Sequence, residues 1–462
     1  MKKTFSIIII TCALLGIKAS AQSFTSSPYS RFGLGDIAGN AFQPGVAMGG
    51  TGIALRTNHS INSINPASYS AFDTLSFIFD VTVIGKFTTY QTNLQSNKIN
   101  NVDLSHFSAG FPITKWWGSS FGLSPYSNVG YSISESVVID TLNLSNTYKG
   151  NGGLNQFFIG NAFKLFTKVD TISKVLAENN KLTFYNTSSL SVGFNTSYFF
   201  GALERHTASV FPDEGNLFDM YTTNKTIIND IGFRIGAQYT FNRQEITSSE
   251  RKNKYTIIAG FTFDNQNDLN AKNTSMVTKY LNIGGTVKID TIENQVNSKG
   301  DVRLPMNIGV GLALITHERL TFALDYRWQQ WSAARFFNQN DSLNDSHTIS
   351  FGTQIAPDPN RQNNYLKMIN YRFGCHYTQS YLNLRNTNIT DYGFSLGLGL
   401  PITKPDKSDV SGLRRRLPPI VNIAFEVGKR GTTLNSLIKE KYFQISVNLS
   451  LYDIWFIKRR FN

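Results

Sequence analysis

The ten residues Phe443–Tyr452 alternate almost without a break. Phe443, Ile445, Val447, Leu449 and Leu451 fall on odd positions, and Gln444, Ser446, Asn448, Ser450 and Tyr452 on even ones. A β-strand sends successive side chains to opposite faces, so this segment has one greasy face and one polar face. Trp455 and Phe456 follow close behind. A strand of this length with an aromatic edge suits an outer-membrane β-barrel, whose strands span the bilayer with about 9–11 residues.

The two-residue period recurs along the chain. Leu304, Met306, Ile308, Val310, Leu312 and Leu314 oppose Asn307, Gly309, Gly311 and Ala313. Leu320, Phe322, Leu324, Tyr326 and Trp328 oppose Thr321, Asp325, Arg327 and Gln329. Ile369, Tyr371, Phe373, Cys375 and Tyr377 oppose Asn370, Arg372, Gly374 and His376. Repeated alternation between stretches rich in Asn, Asp, Ser and Lys predicts an all-β protein. A soluble sandwich also alternates, but the charged second face and the 35 Phe residues favour a closed wall with lipid on one side and a wet lumen on the other. The expected architecture is a transmembrane antiparallel β-barrel of about 14 strands, near 75–90, 102–113, 117–134, 147–166, 188–202, 225–242, 254–265, 274–290, 304–316, 319–332, 365–380, 390–402, 418–429 and 441–453. Residues 274–290 alternate least well, and a loop is the other reading there. The turn at Thr316-His317-Glu318 looks periplasmic and the polar stretch 333–364 extracellular, yet a plain count of these strands puts them on the opposite sides.

The N-terminus carries Met1-Lys2-Lys3, an apolar run from Phe5 to Ile17, and Ala19-Ser20-Ala21. This pattern predicts a secretory signal peptide over 1–21, with Gln22 first in the mature chain. Removing Lys2, Lys3 and Lys18, and no acid, lowers the net charge from +13 to +10. In an exported protein that excess points away from nucleic acid and toward charged loops or anionic lipopolysaccharide and outer-membrane lipid. Cys375 is then the one cysteine left, which excludes an internal disulfide and a Cys-rich zinc site. The six histidines share no metal spacing. No enzyme, cofactor or metal is expected, and Asp325, Arg327 and Glu426 read as lumen charges that pair or meet water.

Residues 22–74 lack sustained alternation yet carry Ile53, Leu55, Ile61, Ile64 and Phe72, which need burial. Inside a barrel the place for them is the lumen, so 22–74 is expected to be a plug, or hatch, and 75–462 the barrel. Within it, Gly49, Gly50 and Gly52 do not have dinucleotide spacing and read as backbone that packs closely or takes positive φ. Asn65-Pro66-Ala67 is a compact turn, at the surface or in the plug; proline restricts Asn65 to extended conformations. In the third strand Gly122, Pro125 and Gly130 weaken the ladder, marking either a kink in the wall or a strand end.

The plug features together with the barrel pattern resemble the FadL/TodX-type outer-membrane transporters of hydrophobic compounds. The resemblance rests on Gly49-Gly50-Thr51-Gly52-Ile53-Ala54-Leu55 ahead of Asn65-Pro66-Ala67, on a late hairpin from Leu304-Pro305 to Trp331-Ser332, and on the size of the barrel. The ending Leu451-Tyr452-Asp453-Ile454-Trp455-Phe456, with Arg430-Gly431-Thr432 and Glu440-Lys441-Tyr442 upstream, resembles a divergent branch in Bacteroidetes-type bacteria. The resemblance implies the outer membrane of a Gram-negative bacterium. It also implies passive uptake of long-chain fatty acids or other hydrophobic small molecules, with lateral exit at the third-strand kink. Which residues bind ligand is left unassigned. The polar inward residues Arg372, His376 and Glu426, and the long connection 167–187, depart from the family pattern. Two alternatives stand beside uptake: a non-transporting scaffold for protein secretion or surface attachment, with an exported protein as partner, and a general diffusion porin. In each case the C-terminal strand is where barrel-assembly machinery is expected to take up the chain.

Overall fold

The computed structural model describes residues 25–455, apart from 40–41, 141, 176–180, 212–216, 248–249, 284–285, 338, 340–341, 358–363 and 404–417. The signal peptide expected over 1–21 lies outside the described residues. Fourteen antiparallel strands close into a barrel. In chain order they are β1 (Ser76–Gln91), β2 (Ser96–Pro112), β3 (Trp117–Asn128), β4 (Leu142–Val175), β5 (Lys181–Val210), β6 (Asp219–Thr247), β7 (Glu250–Asp264), β8 (Asn307–Thr316), β9 (Leu320–Gln329), β10 (Ser346–Ile355), β11 (Asn370–Leu384), β12 (Thr387–Pro401), β13 (Ile420–Arg430) and β14 (Lys439–Ile454). Closure is made by the strand that opened the sequence argument: β14 pairs with β1 from Lys439↔Gln91 to Ile454↔Ser76.

The count of fourteen holds through an exchange of one strand for another. Residues 274–290 are not in the wall. They belong to a hairpin, Asn267–Ile283 with Thr286–Leu304, that pairs with the far end of β6 and stands beyond the barrel, while β7 passes directly to β8 through Asp264↔Asn307. The missing wall strand is β10, inside the stretch 333–364 that reads as loop. The exchange removes the conflict over sides. The rim holding both ends of the wall also holds the tight turns after Pro112 and Thr316, and is periplasmic by those short turns. The segment between β9 and β10 is then extracellular, and the one between β10 and β11 periplasmic.

Several strands run far past what a bilayer needs. β4 has 34 residues, β5 has 30 and β6 has 29. Their extracellular ends, flanked by Tyr131–Ile139 and the inserted hairpin, rise as a sheet on one side of the mouth. The connection expected at 167–187 is the periplasmic end of the β4–β5 ladder, paired from Lys168↔Ser188 down to Val175↔Lys181.

Large apolar side chains cover the outside: Phe233, Ile235, Leu312, Leu324, Phe394, Leu396 and Val447 are among them. On a soluble protein such a surface is a liability; around a barrel it is the face for lipid. Aromatic rings bound it. Phe87, Phe443 and Phe425 stack toward the extracellular side. Phe77, Phe111 and Trp455, with Trp116, Trp117 and Phe163 nearby, do so at the periplasmic side. Among the described residues no helix is long and apolar enough to cross a membrane.

Candidate functional site

Inward-facing residues of the wall hold the N-terminal segment. Ile53, Leu55, Ile61, Ile64 and Phe72 are all buried. Ile53, Leu55 and Ile64 pack with Ile258, Ala313 and Ala323 of the wall, and Ile61 and Phe72 with Ile78, Phe158 and Tyr452. The wall admits this backbone because it is bare where the two meet. A Cβ on Gly260 would strike Ile53, one on Gly193 would strike Pro66 and Ala67, and one on Gly374 would strike Met48 and Gly49. Read from sequence, these glycines only fill the polar face of a strand; what approaches them is set by the chain a long way upstream.

Each residue singled out from sequence in 49–67 has a defined contact. Gly49 and Gly50 adopt φ of 69° and 86°, which glycine reaches at no steric cost. The Gly49 N–H donates to Ser395 Oγ at 2.9 Å. The N–H groups of Gly52 and Ile53 both donate to Asp325 Oδ2, at 2.7 and 2.9 Å, so an anion does sit on this glycine cluster, and it is the protein's own carboxylate. Asn65 is extended, as proline after it requires, and caps the short 3-10 helix Pro66–Ala71 by accepting the Ala67 N–H. Its Nδ2 donates to Ile53 O at 2.8 Å and reaches the carbonyls of Ala237 and Phe261 at 3.1 and 3.3 Å. The turn thus ties the segment to β6 and β7.

Asn65→Ala removes both the cap and these donations. A lost cap costs about 1 kcal/mol, and each buried carbonyl left bare costs about 1–3 kcal/mol. The expected result is a clear fall in the temperature at which the folded, heat-modifiable band is lost. Asn65→Asp keeps the cap but turns a carboxylate oxygen on the three carbonyls, and should melt no higher than Asn65→Ala. Equal melting of all three proteins would remove the turn from the anchor.

Asp325, Gln238 and Asn195 complete the anchor. Gln238 Nε2 donates to the carbonyls of Ile53 and Leu55 at 3.0 and 3.1 Å, and the Tyr69 hydroxyl donates to Asn195 at 3.1 Å. Sequence marks Asp325 as a lumen charge but is silent on Gln238 and Asn195, whose one signal is an amide on an inward position. Toward the extracellular side, Arg430 pairs with Asp36 at 2.7 Å, Arg205 donates to Gly33 O at 2.6 Å, and Ser27 donates to Glu440 at 2.5 Å. Glu426 accepts from the Tyr442 hydroxyl at 3.2 Å, and Arg372 donates to Gln354 and Asn422, both at 2.7 Å. Among the described residues no group of His, Cys, Asp and Glu gathers to hold a metal.

Among the described residues the wall has one break. The β2–β3 ladder runs from Pro112↔Gly118 to Phe107↔Leu123 and stops. Gly122 lies in the last paired stretch, packed so that a Cβ would meet Phe107 O and Phe158. Pro125 lies just past the break, where the β3–β4 register shifts between Pro125 and Ser127. Gly130 lies beyond β3, and its N–H donates to Ser30 Oγ at 3.0 Å. Above the break β3 changes partner: Asp36 and Ile37 pair with Asn128 and Ser127, and the Ala38 N–H donates to Tyr126 O at 2.9 Å. The N-terminal segment therefore supplies part of the wall.

A cavity of about 140 Å³ lies between that segment and the wall beside the break. Ile37, Pro125, Tyr126, Phe158 and Phe199 line one part, and Arg234, Asp264, Asn307, Arg327 and Gln329 another. Arg234 grips Asp264 through two hydrogen bonds, at 2.6 and 2.7 Å, and Asn307 Nδ2 donates to the same carboxylate at 3.0 Å. Asn307 Oδ1 is buried without a partner among the described residues. Arg327 lines the cavity, and no hydrogen bond or ion pair to it is found among the described residues.

The sequence profile of the BamG family matches residues 1–174 and 180–462. No curated protein matches the chain by sequence. Among solved structures it is similar to the toluene transporter TbuX of Ralstonia pickettii, at 12% identity and a TM-score of 0.51 over 89% of this chain and 98% of that one. It is also similar to a FadL homologue of Pseudomonas aeruginosa, at 11% identity and a TM-score of 0.51 over 91% and 100% of the two chains. At these identities the likeness establishes the fold.

Proposed function

The chain belongs to the BamG family, and we propose that it carries small hydrophobic molecules with a polar head across the outer membrane, its N-terminal segment serving as the plug and the break beside β3 as a lateral exit. The observation that carries this reading is the cavity that adjoins both the N-terminal segment and the break in the wall. An apolar molecule is held back by the polar lipopolysaccharide layer. Shielding it in protein is worth roughly 25 cal/mol per Å² of apolar surface hidden, and a sideways exit spares it a second passage through water. The lining narrows the class. Arg327 offers a donor that the carboxylate of a long-chain fatty acid uses and a bare hydrocarbon does not, and Asn307 Oδ1 offers an acceptor for an amphiphile whose head also donates. The cavity is below the roughly 300 Å³ that holds a drug-sized ligand, so the plug has to yield before a long chain enters.

The test is uptake of a labelled fatty acid by cells that lack the protein, with and without the gene restored. Restoration should raise uptake. Arg327→Ala should lower it at limiting ligand about ten-fold, the loss of one charge-assisted hydrogen bond of about 1.5 kcal/mol, and less at saturation. Unchanged uptake in all strains, with no lipid in the purified protein, would end the transport reading.

A second reading is favoured by the tall sheet on one side of the mouth, which exposes Phe218, Met220, Ile289 and Val296. Such a surface fits a scaffold for an exported protein. That role predicts a stoichiometric protein partner, lost when the hairpin 267–304 is removed while uptake is unchanged.

A further inference from the structure

The outward faces of neighbouring strands change in the same way on the extracellular side. On β13, Phe425 and Val427 lead up to Lys429, and on β14, Ile445 and Phe443 lead up to Lys441. On β2, Leu104 and Val102 lead, past Asn100, to Lys98. The ladders set these ends in one row, through Lys429↔Lys441, Lys441↔Thr89 and Thr89↔Lys98. The outward row beneath holds Phe443 and Phe87, which are direct partners and stack.

An open groove of about 460 Å³ runs over this junction, with Phe87 and Phe443 toward the membrane and Lys98 and Lys441 toward the outside. The girdle gives its depth. Aromatic rings stand at the edge of the hydrocarbon, so the lysines one step beyond them lie among headgroups. The wall ends soon after these lysines: residues 92–95 join β1 to β2, and 431–438 join β13 to β14. Lipid, and not a tall sheet, therefore surrounds them. The acids Glu426 and Glu440 on the same strands face the lumen, where they meet Tyr442 and Ser27. Among the described residues none of the three lysines is in an ion pair, and Lys429 lies over the Tyr392 ring at 5.7 Å.

We propose that this lysine row is a binding site for the lipid A part of lipopolysaccharide, a diphosphorylated disaccharide of the outer leaflet that carries several acyl chains. Paired strands lie about 4.8 Å apart, so Lys429 and Lys441 close on one phosphate, and Lys98, two strands beyond Lys441 at about 10 Å, meets a second. Cations without counter-ions on a rigid wall favour a head with two phosphates over the single charge of a phospholipid. The lysine stems lie along the apolar surface while their ammonium groups reach the phosphates. The acyl chains run down the outward rows below, over Phe443, Phe87 and Val102, all exposed. The site is on the outside of the barrel and stands apart from the transport reading.

The experiment uses the full chain in detergent micelles and diphosphorylated lipid A as probe, beside phosphatidylglycerol and inorganic phosphate. Bound lipid is counted by native mass spectrometry as its concentration is raised. Lipid A should bind about ten-fold tighter than phosphatidylglycerol, and excess inorganic phosphate should not displace it. Replacing Lys98, Lys429 and Lys441 together by glutamine should weaken lipid A binding roughly 100-fold. Lys115→Gln, at the periplasmic turn after β2, should leave it unchanged. Equal binding of lipid A and phosphatidylglycerol would show a surface that any anionic lipid satisfies, and displacement by phosphate a site for the bare anion. Unchanged binding in the triple variant, or an equal loss in Lys115→Gln, would place the lipid elsewhere. Each of these results overturns the proposal. If the triple variant does not fold, the comparison of lipids on the native chain decides alone.

Discussion

A barrel carrying Gly374→Leu is expected to close its wall and lose its N-terminal segment from the lumen. Gly374 and Gly352 are direct partners across β10 and β11, and together they make a bare patch on which Met48 and Gly49 rest. The obstacle to a side chain at 374 is main chain: Gly49 N and the Met48 carbonyl carbon and Cα. Overpacking a core usually costs about 1–3 kcal/mol because side chains turn aside; here no side chain can turn aside, so the backbone has to move. Moving it breaks the bond from Gly49 to Ser395 and pulls Gly52 and Ile53 from Asp325 three residues on. The strand ladders do not depend on those contacts. In planar bilayers the native protein should show almost no ion current, and the leucine variant should conduct steadily, with the N-terminal segment newly open to protease. Gly85→Leu is the control, since a Cβ there meets nothing closer than 3.8 Å. A leucine variant at 374 as tight as the native barrel would mean that the segment does not seal the lumen.

That sensitivity marks what sequence could reveal and what it could not. Strand period is a local property, so Phe443–Tyr452 announces both its faces and its membrane. β10 escaped because its outward row of Ile349, Phe351 and Ile355 is broken by His347 and Thr353, its inward row holds Ser346, Thr348, Ser350 and Gln354, and polar loops flank it. Residues 274–290 misled for the opposite reason. Met276, Val277, Tyr280 and Leu281 give apolar content, and the two register shifts in this hairpin disturb the period that would have told sheet extension from wall. The need of Ile53, Leu55, Ile61, Ile64 and Phe72 for burial was legible, since nothing else dissolves that many apolar groups. The partners that bury them were not. An inward glycine looks the same whether lumen water or another main chain touches it, and an inward amide such as Gln238 looks like any wet lumen residue. Pro125 and its flanking glycines flagged weak pairing on β3; that the N-terminal segment would take the vacated edge depends on contacts between residues about 90 positions apart.

Asp325→Ala should open the same seal from the other side of the contact. The Asp325 carboxylate is 3% exposed and accepts two main-chain N–H groups through one oxygen, while its second oxygen has no partner among the described residues. Truncation leaves the Gly52 and Ile53 N–H groups buried and bare, at about 1–3 kcal/mol each. Removing a buried charge returns part of this, so the net loss in seating is about 2–4 kcal/mol, enough to raise the unseated population roughly 30- to 800-fold. The lumen should then conduct in bursts, with the open fraction set by that population, where Gly374→Leu conducts throughout. Asp325→Asn separates charge from geometry. Its amide oxygen still accepts both N–H groups, and its Nδ2 becomes a donor where Oδ1 had no partner, so the seal should hold near native tightness. If the asparagine variant leaked as much as the alanine one, the negative charge itself would be the anchor, acting on the dipoles of the glycine turn and not through hydrogen bonds that a neutral acceptor can replace.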